Sequence, residues 1–107
     1  MRYEVVLAPQ AVEDLRGLSA RARSEVRDAI ERHLRQQPIR TSKSRIKRLR
    51  GMAQPQFRLR VAELRVFYDV VDQTVQVLAI VSKAQASAWL EDIGTPDADR
   101  GAREDEG

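Results

Sequence analysis

Three arginines stand on a stretch that otherwise reads as apolar strand. In QFRLRVAELRVFYDVVDQTVQVLAIVS, residues 56–82, Arg58 and Arg60 alternate with Phe57, Leu59 and Val61, and Arg65 stands at the start of the next apolar run. A period of two puts the two arginines on one face of a strand and the apolar residues on the other. In the following run Leu64, Val66, Tyr68 and Val70 share one face, and Arg65, Phe67, Asp69 and Val71 the opposite one. A hairpin between the runs brings Arg65 beside Arg58 and Arg60. Guanidinium groups are permanently charged and contact phosphate bidentately. The arrangement therefore reads as an anion-binding face. Its plain alternative is a solvated face in which Asp69 pairs with one arginine. The preceding Ile39–Gln54 reads as a loop pinned by Ile46 and Leu49, with a basic part, TSKSRIKRLRG, at residues 41–51. It presents Lys43, Arg45, Lys47, Arg48 and Arg50 as further phosphate contacts.

The elements that must hold these residues follow from periodicity. Ala62-Glu63 and Asp72-Gln73 are short breaks between three runs, Phe57–Val61, Leu64–Val71 and Thr74–Val81, which read as an antiparallel meander. Tyr3, Val5 and Leu7 alternate as a short first strand. Pro9 suits the first turn of a helix, and Ala11, Val12, Leu15 and Leu18 recur at helical spacing. Ser19 is positioned as the N-cap of a second helix reaching about Gln37, with Val26, Ile30 and Leu34 on its apolar stripe and Pro38 as its stop. After Ser82 an alanine-rich stretch reads as a short helix. The predicted fold is α+β: an N-terminal strand, a helical hairpin, a three-stranded antiparallel meander making a four-stranded sheet in all, and a short C-terminal helix.

Composition bounds the rest. The 107 residues suffice for one domain with a modest aliphatic core, since only five are aromatic. There is no cysteine, which excludes disulfides and thiolate sites. No signal peptide or membrane-spanning run is visible, so a cytoplasmic protein with no membrane partner is expected. The formal net charge of +3 conceals an asymmetry. Residues 40–65 hold nine basic side chains against Glu63 alone, whereas residues 93–107 hold five acidic and two basic. A basic middle suits an anionic partner. The expected division is a folded domain over 1–93 and an acidic tail over 94–107, too poor in apolar residues to order itself in the free protein.

At this point LRGM, residues 49–52, and FRLRVAELRVFYDVVD, residues 57–72, carry a family resemblance. With the order of elements they make the chain similar to the RelE/ParE superfamily of bacterial type II toxins, over roughly Arg2–Glu91. The resemblance implies a toxin held by a cognate antitoxin protein. For the RelE branch it implies cleavage of mRNA on the ribosome, through attack of a ribose 2′-hydroxyl on the scissile phosphate. Carried over by position, Arg58 and Arg60 match the basic pair that binds that phosphate, and Arg65 the arginine that stabilises its transition-state charge. Lys83 is the cation left to stabilise the leaving group. Ala84 and Leu90 stand where an arginine and a tyrosine are expected, so the general acid and base are not identified. Two alternatives stay open: a ParE-like inhibitor of DNA gyrase, and a non-catalytic antitoxin-binding protein.

The remaining residues with chemical potential read plainly. His33, the one histidine, is expected to be solvated or to favour a helix C-terminus. Trp89 is read as core before base-stacker, and Tyr68 as core. Glu63, Asp69 and Asp72 lie near one another in sequence without a histidine, so no metal and no cofactor are expected. Replacing Arg65 with alanine is expected to leave stability nearly unchanged.

Overall fold

The computed structural model describes residues 2–97. Strand β1, Glu4–Leu7, leads into helix α1, Pro9–Arg16, and helix α2, Ala20–Ala29. Pro9 occupies the first turn of α1, where its missing N–H costs nothing. Ser19 caps α2 as expected, its hydroxyl accepting from the Ala22 N–H at 3.1 Å. The second helix then widens into a π-turn, Ile30–Leu34, closed by the Arg35 N–H donating to the Ile30 carbonyl five residues back. The hairpin end is tied to β1 by the Tyr3 N–H bonding the Arg35 carbonyl at 2.8 Å.

Strands β2, Ile46–Arg48, and β3, Met52–Gln54, precede the meander β4, Phe57–Val61, β5, Leu64–Val71, and β6, Thr74–Ser82. Helix α3, Ala86–Ile93, and a two-residue strand β7, Thr95–Pro96, close the described chain. The main sheet has five strands in the order β1-β6-β5-β4-β2, and β3 pairs with β7 in a separate ribbon. The α+β class and the meander agree with the sequence. Three details differ. The sheet has five strands, because Ile46–Arg48 adds to the outer edge of β4. It is mixed, because β1 runs parallel to β6. The stretch read as a loop therefore contains two strands. Each is three residues long and carries at most one buried side chain, too little for alternation to register.

One face of the sheet holds the main core. Leu59, Val66 and Tyr68 are fully buried there against Ala11, Val26 and Leu34 of the helical hairpin. The Tyr68 hydroxyl donates to the Pro38 carbonyl at 2.6 Å, satisfying its one buried polar group. Burial pushes that hydroxyl's pKa up. The opposite face carries Phe67 and Ala79, cross-strand partners, both fully buried. Trp89 of α3 stacks on Phe67 with ring centroids 4.8 Å apart and planes 5° from parallel. The tryptophan is thus a packing residue as read, and it fixes α3 on the arginine-bearing face.

The tail differs at its beginning. Gly94–Asp97 is part of the fold: Thr95–Pro96 pairs with β3, and the Asp97 N–H donates to the Gly51 carbonyl at 2.8 Å. The reason is local: the end of α3 delivers the chain onto the free edge of β3, whose backbone groups need partners. The expected disorder of the rest, 98–107, lies outside the described residues.

Candidate phosphate-binding face

Strand register decides what the arginines share. In the β4–β5 pair Arg60 stands directly opposite Arg65, and Arg58 opposite Phe67. In the β2–β4 pair Lys47 stands opposite Arg58. The sheet therefore places two like-charged cross-strand pairs side by side on the face away from the helical hairpin. Like charges directly opposite each other destabilise a sheet. Nothing on this face neutralises them: among the described residues Lys47, Arg58, Arg60 and Arg65 make no ion pair, while the carboxylates Glu13, Glu25, Asp28 and Glu31 are spent on helix arginines. The solvated alternative gave Asp69 to an arginine. Asp69 instead accepts from the Gln56 N–H at 2.7 Å and from the Gln54 side chain at 2.8 Å, which holds the entry to β4.

The three arginines are not equivalent. Arg60 is exposed. Arg58 is half-buried, and one η nitrogen lies 3.5 Å from the Ser44 carbonyl. Its Nε is buried with no hydrogen-bond partner, alone among the side-chain nitrogens and oxygens of the described residues. Burial, then Arg65 and Arg60, lower its pKa from the usual guanidinium value. An anion beside the guanidinium would offset the repulsion from Arg65 and Arg60. Arg65 is only 6% exposed, and one η nitrogen donates to the Ala62 carbonyl at 3.0 Å and the Leu64 carbonyl at 2.8 Å. It braces the β4–β5 turn, whose Ala62 has a φ of 52°. Lys83 lies at the same end of the sheet, since its N–H donates to the Glu63 carbonyl at 2.7 Å, and its side chain is exposed.

The five basic residues of the 41–51 stretch do not form one surface. Lys47 alone shares the register of Arg58. Arg48 faces the other way, opposite Phe57, with its guanidinium carbon 5.4 Å from that ring's centroid and a bond to the Gln56 carbonyl. It covers the edge of the core. Arg45 reaches the helical side, with an η nitrogen 2.8 Å from His33 Nε2. Lys43 and Arg50 are exposed. The sequence missed this division because β2 makes successive side chains alternate, which a loop need not do. It also missed the His33 contact, since His33 and Arg45 are twelve residues apart and meet only through the fold. The expectation for His33 thus holds in part: it lies half-buried in the last turn of the π-turn, and the fold adds a contact with Arg45.

The comparisons with known proteins bear on the family and the fold. The family model described as ParE toxin of type II toxin-antitoxin system, parDE, matches residues 5–87. No curated protein sequence gives a match. Among solved structures the chain is similar to the toxin-antitoxin complex RelBE2 from Mycobacterium tuberculosis, at 26% identity and a TM-score of 0.64, over 77% of this chain and 99% of that one. It is similar to the archaeal RelE-RelB complex from Pyrococcus horikoshii OT3, at 25% identity and 0.60, over 79% and 99%. It shares the fold of E. coli toxin RelE, a double arginine mutant in the free state, at 22% identity and 0.63, over 87% and 99%.

Proposed function

The chain belongs to the ParE toxin family of type II toxin-antitoxin systems, within the RelE/ParE superfamily, and we propose that it acts as the RelE branch of that superfamily is expected to, inhibiting translation by cleaving mRNA on the ribosome. The observation that carries this reading is the pair of like-charged cross-strand positions, Lys47 opposite Arg58 and Arg60 opposite Arg65, which no ion pair offsets among the described residues. Such repulsion is retained at a cost unless an anion offsets it. A scissile phosphate is the anion that fits. Arg58 and Arg60 would hold its non-bridging oxygens, where charge builds as the 2′-hydroxyl attacks. Fixed cations on a half-buried face stabilise that charge better than mobile water does. Arg65 would hold the turn that presents them, and Lys83, at the same end, would stabilise the leaving oxygen. Lys47 would bind RNA beside Arg58, with Lys43 and Arg50 as peripheral contacts. No metal or cofactor enters this scheme. The protein would act in the cytoplasm, held inactive by a cognate antitoxin, a partner that the toxin-antitoxin complexes among the similar structures support; on this reading the antitoxin would cover the basic face.

A second reading rests on a separate observation. Helix α3, ASAWLEDI, places no histidine, tyrosine, lysine or arginine near the face, and the matching family model is that of ParE. A toxin that inhibits DNA gyrase by binding alone needs no acid or base. Primer-extension mapping after induction in cells, run beside a gyrase supercoiling assay with the purified protein, separates the two. Cuts within translated mRNA that vanish in Arg60→Ala support the ribonuclease. Lost supercoiling with intact mRNA overturns it in favour of the gyrase reading.

A further inference from the structure

The cationic face does not account for Arg45 or for His33. Beside them lies a cleft of about 170 Å³ between the π-turn and the loop that follows, lined by Arg32, His33, Gln37, Arg40, Ser42 and Arg45. It has three guanidinium groups on its walls and no carboxylate. Arg32 is partly balanced by Asp28 at 3.2 Å. Arg40 donates to the neutral Gln37 side chain at 3.1 Å. Arg45 donates to His33 Nε2 at 2.8 Å, which requires an imidazole that is neutral and carries its proton on Nδ1. A guanidinium whose only acceptor is a neutral ring has kept its full charge unpaired.

The cleft also offers neutral donors. Ser42 Oγ accepts the N–H groups of Arg45 and Ile46 at 3.0 and 3.2 Å. Its two lone pairs are thereby occupied, and its hydroxyl proton remains to be donated. These bonds also hold the loop backbone in place before any ligand arrives. The π-turn contributes by widening the helix just where His33 must project, a use typical of such turns.

We propose that this cleft is a second anion site, taking one phosphate group between Arg40, Arg45 and the Ser42 hydroxyl, apart from the sheet face. The phosphate would displace Arg45 from His33 and leave the imidazole free to protonate against the bound anion. Arg45 also lines a neighbouring cleft of about 320 Å³ that includes Ser44 and Arg60. A nucleic-acid strand lying over Arg60 would thus reach the cleft around the β2 edge, whereas a small phosphorylated molecule would occupy it alone. The proposal does not rest on mRNA cleavage.

The test follows the His33 ring resonances of the full chain by NMR at constant ionic strength. Inorganic phosphate should shift them saturably and raise the His33 pKa, which the free protein holds low through burial, Arg45 and Arg32, against the opposing pull of Asp28. Arg45→Ala and Arg40→Gln should each weaken saturation by about tenfold or more, the scale of one charge-assisted hydrogen bond. Arg21→Ala, an exposed arginine paired with Glu25, should leave it unchanged. A short single-stranded RNA that moves the same resonances and is displaced by phosphate identifies a nucleic-acid backbone as the ligand. RNA without effect beside saturating phosphate identifies a small free phosphate. A linear response to phosphate, or unchanged saturation in both cleft variants, overturns the site.

Discussion

At the scale of single residues, the three sheet arginines divide between contact and support. Arg60 is exposed and faces Arg65 across the pair. Arg60→Ala should leave stability within about 0.5 kcal/mol, as exposed substitutions do, while toxicity that arises from phosphate contact should fall about a hundredfold. Arg65→Ala removes two bonds to the Ala62 and Leu64 carbonyls. It should therefore destabilise by about 1–3 kcal/mol, which corrects the sequence-based expectation of a nearly neutral change. Denaturant melts of both variants beside growth assays check this: equal stability losses would refute the division. His33 supplies a pH signature. Its pKa is lowered from 6.5 in the fold, chiefly by burial and then by Arg45 and Arg32. Below 6.5 the unfolded chain binds the proton more readily, so this contribution to stability is present above that value and lost as the pH falls through it toward the folded pKa. Melting temperatures at about pH 7.5 and about pH 5.5 should differ less in His33→Gln than in the parent protein.

At the scale of elements, the junction of α3 with β7 leaves no room for a side chain at Gly94. A Cβ on Gly94 would run into the Leu90 carbonyl and the Met52 methyl. The methyl can swing away; the carbonyl is fixed by accepting the Gly94 N–H at 2.9 Å. Gly94→Ala should therefore push β7 off β3 and loosen α3, the element that seats Trp89 on Phe67. Faster hydrogen exchange across Met52–Gln54, with the exchange of β4 and β5 unchanged, is the expected result. Uniform protection in both proteins would show that the ribbon tolerates the extra atom. The β4–β5 turn behaves in the opposite sense. Ala62 sits at a φ of 52° without a glycine's freedom, so Ala62→Gly should gain about 0.5–1 kcal/mol in a denaturant melt.

At the scale of the whole molecule, two faces of one sheet do separate work. The helical hairpin closes one face around Leu59, Val66 and Tyr68. The other is only partly covered by α3, and Lys47 and Arg60 stand exposed on it. Among the described residues no helix is long and apolar enough to cross a membrane. The C-terminal stretch is joined to this body by Gly94–Asp97. Truncation after Asp97 should leave the melting transition where it is, because the β3–β7 pairing survives. Truncation after Ile93 should lower it, because it strips the ribbon and the Asp97–Gly51 bond. Identical transitions in the two truncations would show that the ribbon adds nothing to stability.

What the sequence determined by itself was whatever repeats with the period of its own element. Alternation in Phe57–Val61 and Leu64–Val71 fixed which face each side chain takes, and so put Arg58, Arg60 and Arg65 together and Tyr68 in the core. Pro9 and Ser19 marked the helix starts, because their chemistry acts on the nearest turn. The family, too, was legible in residues 49–72. Tertiary structure decided everything that depends on pairing between distant segments. The three-residue β2 exists only because β4 offers it an edge, and its register is what aligns Lys47 with Arg58 and brings Arg48 over the Phe57 ring. The parallel direction of β1, the retention of Asp69 by Gln54 and Gln56, and the meeting of His33 with Arg45 have the same origin. Strand polarity and partner choice are settled by backbone hydrogen bonds between segments, and a local pattern of side chains carries no record of them.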